Sequence, residues 1–105
     1  MEMAGTMTVT DRYARSCIAH EQACKAMPGG VNSPERACHA VGCQPITIRK
    51  GKGAFVTDID GNSYIDYVAS YGPLILGHAP EIVLAAVSKA ANHGTSFGMP
   101  TEVEI

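Results

Sequence analysis

The segment Pro28-Gly29-Gly30-Val31-Asn32-Ser33-Pro34-Glu35-Arg36 constrains the chain most. Prolines fix φ at either end, and paired glycines free the backbone between them. Asn32 and Ser33 carry side chains that bond to nearby backbone. No helix and no central strand tolerates such a run. It is a shaped loop, and it holds up one cation, Arg36. A loop of this specificity either holds a ligand group or makes a rigid turn beneath a solvated arginine, and residue physics leaves both readings open.

The chain has 105 residues, enough for one small domain and not for two. With 46% hydrophobic and 17% charged residues it has the balance of a soluble globular protein. A formal net charge of -2 gives no electrostatic reason to expect nucleic acid or an acidic membrane as partner. No apolar run approaches bilayer length, and the first residues lack the basic and apolar regions of a secretory signal. Four cysteines, Cys17, Cys24, Cys38 and Cys43, form no C-x-x-C pair and read as reduced thiols. Cys17, His20 and Cys24 share a helical face, yet the spacing matches no structural zinc pattern. Small buried hydrophobes is the reading taken for these cysteines, and no metal site is expected.

Periodicity predicts a helix over Asp11 to Met27, with Ala14, Cys17, Ile18, Cys24 and Met27 on one stripe. Thr10 or Asp11 is the expected cap, and Pro28 with its glycines the stop. From Pro45 the period changes to two, placing Ile46 and Ile48 on one face of a strand. Lys50-Gly51-Lys52-Gly53 reads as a turn, Ala54 to Ile59 as a second strand, Asp60-Gly61-Asn62 as a hairpin turn and Ser63 to Val68 as the return strand. The expectation is therefore a three-stranded antiparallel meander. Neither a phosphate loop nor an EF-hand fits the glycine and carboxylate spacing around it.

Glycines at both ends of Gly72-Pro73-Leu74-Ile75-Leu76-Gly77 suggest a buried connection where backbones approach closely. His78 reads as a cap or packing residue rather than a base. Pro80 at N1 and Glu81 open the clearest helix, whose face carries Val83, Ala86, Val87 and Ala90 until Gly94 stops it. The loop Gly94 to Thr101 suits either an anion cradle or a helix exit. Thr101-Glu102-Val103-Glu104-Ile105 reads as a capped helix start, and the chain is expected to continue beyond it.

Taken together, four stretches carry a resemblance. They are Met27 to Arg36, Gly51 to Tyr67, Gly72 to His78 and Gly94 to Gly98. They resemble the N-terminal part of the glutamate-1-semialdehyde aminomutase family, within the class-III aminotransferases. The hairpin with its D-x-D-G and Y-x-D elements is shared across the class. The loop Pro28 to Pro34 and the run Gly72 to His78 look specific to the aminomutases. The resemblance implies an α+β segment, with an N-terminal helix, the meander and a second helix, belonging to an α/β fold type I enzyme. Residues 1–105 would then be the N-terminal segment, without the large cofactor-binding domain or the C-terminus.

The resemblance further implies pyridoxal phosphate as cofactor, a cytoplasmic homodimer, and conversion of glutamate-1-semialdehyde to 5-aminolevulinate for tetrapyrrole synthesis. By similarity Arg36 binds the substrate carboxylate, Ser33 shapes that pocket, and Tyr71 is an aromatic neighbour of the cofactor. A planar guanidinium matches a small carboxylate. Tyr71 stands where the family usually has tryptophan, Glu35 where it has a small apolar residue, and Cys43 where it has glycine. Gly77-His78-Ala79-Pro80 is one histidine short of the usual run. None of Lys25, Lys50, Lys52 or Lys89 matches the cofactor-linking lysine, which the family carries downstream, so the segment alone is expected to be inactive. The alternatives are another class-III aminotransferase acting on ornithine or an ω-amino acid, and a non-enzymatic α+β interaction domain.

Overall fold

The turn Asp60-Gly61-Asn62 joins a polar hub to the three strands around it. The computed structural model describes residues 12–105. Strand β1 spans Ile48–Lys52, β2 Phe55–Asp58 and β3 Ser63–Ile65, paired antiparallel in the order β1-β2-β3. The meander is as expected, but its first turn is not. Gly51 and Lys52 lie within β1, and Lys52 pairs with Phe55 across the two-residue turn Gly53-Ala54. Gly53 takes the first central position at φ 57°, where such a turn favours glycine. Strand β1 starts at Ile48 rather than Pro45, and its register slips between Ile48 and Lys50, a local bulge.

Helix α1 spans Ala14–Ala26. The expected caps Thr10 and Asp11 lie outside the described residues. No side chain of the N-cap residue, Tyr13, closes the first turn. The cap arrives from the hairpin instead. The Asp60 carboxylate accepts the Arg15 and Ser16 amides at 2.7 and 3.0 Å and the Ser16 hydroxyl at 2.6 Å. A carboxylate there satisfies orphan donors and meets the positive end of the helix dipole. Ser16 Oγ in turn accepts the Thr47 amide at 3.2 Å, joining α1 to the segment ahead of β1.

Asp58 anchors the other side of the hub. It accepts the Asn62 amide at 2.7 Å, the Asn62 side chain at 2.8 Å and the Tyr64 hydroxyl at 2.8 Å. Asn62 also ties to Arg12, donating to its carbonyl at 3.2 Å. The D-x-D-G-N stretch makes the expected turn and also docks the first helix on the sheet.

Ser16 and Asp58 are each 1% exposed, whereas Ala37 is the one buried apolar residue among those described. Polar bonding therefore organises this segment more than an apolar core does. The cysteines follow suit. Cys24 and Cys43 are exposed and Cys17 and Cys38 half-buried, because the described residues form no apolar interior to receive them. Gly72 to Gly77 is likewise not a buried connection, since Ile75 and Leu76 are exposed. The close approach of backbones does hold: Gly53 and His78 exchange amide bonds at 2.9 and 2.7 Å.

Helix α2 spans Glu81–Ala91, with Pro80 at its N-cap in extended conformation rather than at N1. Its predicted face is largely open, Val87 being 58% exposed. The radius of gyration is 18.1 Å, against about 13 Å for a compact chain of this length. No helix among the described residues is long and apolar enough to cross a membrane.

Candidate functional site

The loop that holds Arg36 is built from two short 3-10 turns, Pro28–Gly30 and Pro34–Ala37. Val31 between them, and Ser33 ahead of the second, are extended. Gly30, at φ 69°, lies on the His20 and Cys24 side chains of α1, where an added Cβ would come within 2.9 Å of both. Those two side chains, 3.6 Å apart, form the seat of the loop. Arg36 follows Pro34 in the second turn, and its amide donates to the Ser33 carbonyl at 3.0 Å.

Arg36 and Tyr71 line the same open space. One cavity of about 500 Å³ includes both, together with Ile46, Ile48 and Glu35. A second of about 500 Å³ adjoins it, again with Arg36 and Tyr71, and adds Asp66 and His78. The two residues are 35 positions apart in sequence, so the loop and the Ser70–Gly77 connection converge on one site. A third cavity, of about 570 Å³, lies between α2 and the Phe97 turn and contains neither.

Ser33 is placed differently. Its hydroxyl donates to the Glu35 carboxylate, and Ser33 is absent from the lining of both cavities. That bond from Ser33, followed by the backbone at Glu35, holds the exposed Glu35 carboxyl below the usual range. Glu35 is thereby turned to Ser33, and no ion pair joins it to Arg36 among the described residues. Arg36 lines both cavities and is not paired by its neighbour. Burial, then the thiol of Cys43, push the Cys38 thiol up, so it is a poor nucleophile beside this site.

Asp66 was not singled out by sequence, and His78, expected as a cap or packing residue, is its partner at the site. Asp66 Oδ2 lies 2.6 Å from His78 Nε2, while Oδ1 accepts the Val68 and Ala69 amides at 2.8 and 3.1 Å. His78, then the Val68 amide, hold the Asp66 carboxyl below the usual range against a smaller upward push from burial. The signal for Asp66 was its Y-x-D setting at the end of a strand; the distance to His78 hid the pair.

An aromatic face and a free guanidinium beside one cavity suit a small carboxylate whose remainder lies against a flat ring. The sequence model described as Aminotransferase class-III matches residues 38–105. The chain belongs to the class-III aminotransferase family. It is 58% identical over 92 residues to glutamate-1-semialdehyde 2,1-aminomutase 1 of Listeria monocytogenes serotype 4b, covering 88% of this chain and 21% of that protein. The chain thus spans about a fifth of the length of the curated relatives it matches.

Two solved structures share its fold. A transaminase with PLP bound is similar at a TM-score of 0.72 and 40% identity, over 88% of this chain and 21% of that one. A glutamate-1-semialdehyde-aminomutase from Pseudomonas aeruginosa PAO1 is similar at 0.71 and 28%, over 89% and 20%.

Proposed function

We propose that this chain is the N-terminal segment of a glutamate-1-semialdehyde 2,1-aminomutase, and that Arg36 binds the substrate carboxylate. The observation that carries the reading is the convergence of Arg36 and Tyr71 on one cavity. The aminomutase names of the relatives and of one structural neighbour support it. The enzyme would be an isomerase that moves an amino group within one molecule, yielding 5-aminolevulinate for tetrapyrrole synthesis.

Pyridoxal phosphate is the cofactor of this reading, and the PLP-bound transaminase neighbour supports it. Bound, it supplies an electron-withdrawing ring that carries the amino group. The residues present fit one wall of such a site. Tyr71, 73% exposed, offers a ring face, and Arg36 offers the carboxylate fork. No lysine lines either cavity among the described residues, and on this reading the linking lysine and phosphate cradle would come from sequence beyond the residues given. A homodimer in the cytoplasm is part of the same proposal and rests on the resemblance alone. The exposed apolar residues of α2 and the near absence of an apolar core support a segment that packs on further protein.

The test is a substrate comparison with the full-length enzyme. Turnover of glutamate-1-semialdehyde to 5-aminolevulinate, with little on ornithine or 4-aminobutyrate, is the expected result. Preference for the ω-amines assigns the chain to another class-III aminotransferase, and loss of both activities leaves the interaction-domain alternative.

A further inference from the structure

Ala69, Ser70 and Tyr71 have φ values of 47°, 55° and 65°, and Gly72 continues the run at 112°. Left-handed backbone is unfavourable for a residue with a Cβ, and single residues rather than runs are the rule. Such strain persists only where the surroundings over-determine it. Here they do. Asp66 receives the amides that lead into the turn, Val68 and Ala69, and its second oxygen meets His78.

Both partners are fastened to the β1–β2 hairpin. The Asp66 amide donates to the Ala54 carbonyl at 2.8 Å. His78 exchanges backbone bonds with Gly53, and its ring lies so close on Gly51 that an added Cβ would sit 2.5 Å from Cγ. Tyr71 leaves the far end of this turn. No hydrogen bond holds its hydroxyl among the described residues, and the left-handed backbone sets the direction in which its side chain leaves the turn.

We infer that Asp66 and His78 are positioning residues that hold the left-handed Ala69–Gly72 turn and so aim the Tyr71 ring at the Arg36 cavity. The inference rests on the proposed substrate site being that cavity. It goes beyond it by naming the pair that sets the site's geometry through the Tyr71 turn.

A double-mutant cycle in the full-length enzyme tests it. Asp66→Asn removes the carboxylate; His78→Phe keeps a ring on Gly51 and removes the bond to Asp66. Each is expected to lower kcat/KM for glutamate-1-semialdehyde by roughly 10- to 100-fold, the scale of a misplaced site group. On a Tyr71→Ala background the same changes should cost less than about 2-fold, because the group they position is gone. Undiminished losses on that background overturn the inference.

A substrate-free readout accompanies the cycle. With 3-fluorotyrosine at position 71, the fluorine resonance should be single and narrow in the native protein and shifted or broadened in His78→Phe and Asp66→Asn. An unchanged resonance in a folded variant refutes positioning, and His78→Phe decides the matter where Asp66→Asn does not fold. If the native enzyme fails to turn over glutamate-1-semialdehyde, the substrate reading falls, while the fluorine spectrum still judges the positioning.

Discussion

Replacing Gly77 with alanine probes the junction that brings the Tyr71 connection onto the hairpin. Gly77 has φ 75°, and a Cβ there would lie 2.7 Å from the Gly53 carbonyl oxygen and 2.9 Å from its carbon. Both contacts are backbone, so no side chain can rotate away. Gly42→Ala is the matched control, because Gly42 has φ 65° and nothing within 4 Å of its Cβ position. Each variant meets the left-handed penalty of about 1–2 kcal/mol, offset by about 0.4–1 kcal/mol of reduced unfolded-state entropy.

Only Gly77→Ala must also push the Gly53 and Gly77 backbones apart. That strains the Gly53–His78 amide pair, at 2.9 and 2.7 Å. Two backbone bonds at about 0.5–1.5 kcal/mol each put the excess loss at about 1–3 kcal/mol. Denaturant unfolding of both variants gives the difference from the midpoints at constant slope. Amide exchange at Gly53 and His78 locates it. Equal midpoints with retained protection at both amides would refute the argument that backbone contact, rather than φ alone, requires this glycine.

Other perturbations address the hub. Ser16→Ala removes a buried hydroxyl that donates to Asp60 and accepts from Thr47, and should cost about 1–3 kcal/mol in thermal unfolding. Acid should loosen the hairpin. Burial pushes the Asp58 carboxyl up, but bonds from the Asn62 side chain, Tyr64 and the Asn62 and Asp60 backbone outweigh it and leave it lowered. A lowered carboxyl contributes stability above its ordinary value of 3.8 that is lost as pH falls through the folded value. Asp58→Asn should therefore lower stability at neutral pH and flatten its acid dependence below that point, as read by circular dichroism against pH. Gly51→Ala, which brings a Cβ within 2.5 Å of the His78 ring, should displace that ring and shift the fluorine resonance of a labelled Tyr71.

Local patterns were legible wherever the cause is local. The period-two stretches gave the meander, Asp60-Gly61-Asn62 gave the second hairpin, and the apolar spacing after Pro80 gave α2. The failures share a different cause. Gly51 was read as turn residue, yet its task is to admit the His78 ring, a contact 27 positions away in sequence. Asp60 was read as turn chemistry, yet it also caps a helix 44 residues earlier, which no window along the chain reveals. The cysteines were assigned to an interior that the described residues do not build. At the site, Arg36 and Tyr71 came from resemblance and converge in space, whereas the Asp66–His78 pair became visible only with the fold.

The account turns on Arg36 as the anchor of the substrate carboxylate. Arg36→Lys in the full-length enzyme keeps the charge and removes the planar fork. Steady-state kinetics with glutamate-1-semialdehyde should show KM raised by roughly 10- to 100-fold, the worth of about 1.5–3 kcal/mol for bonds to a charged group, with the enzyme still folded and cofactor-loaded. A KM equal to that of the native enzyme would contradict the claim and return the loop from Pro28 to Arg36 to a rigid turn beneath a solvated cation.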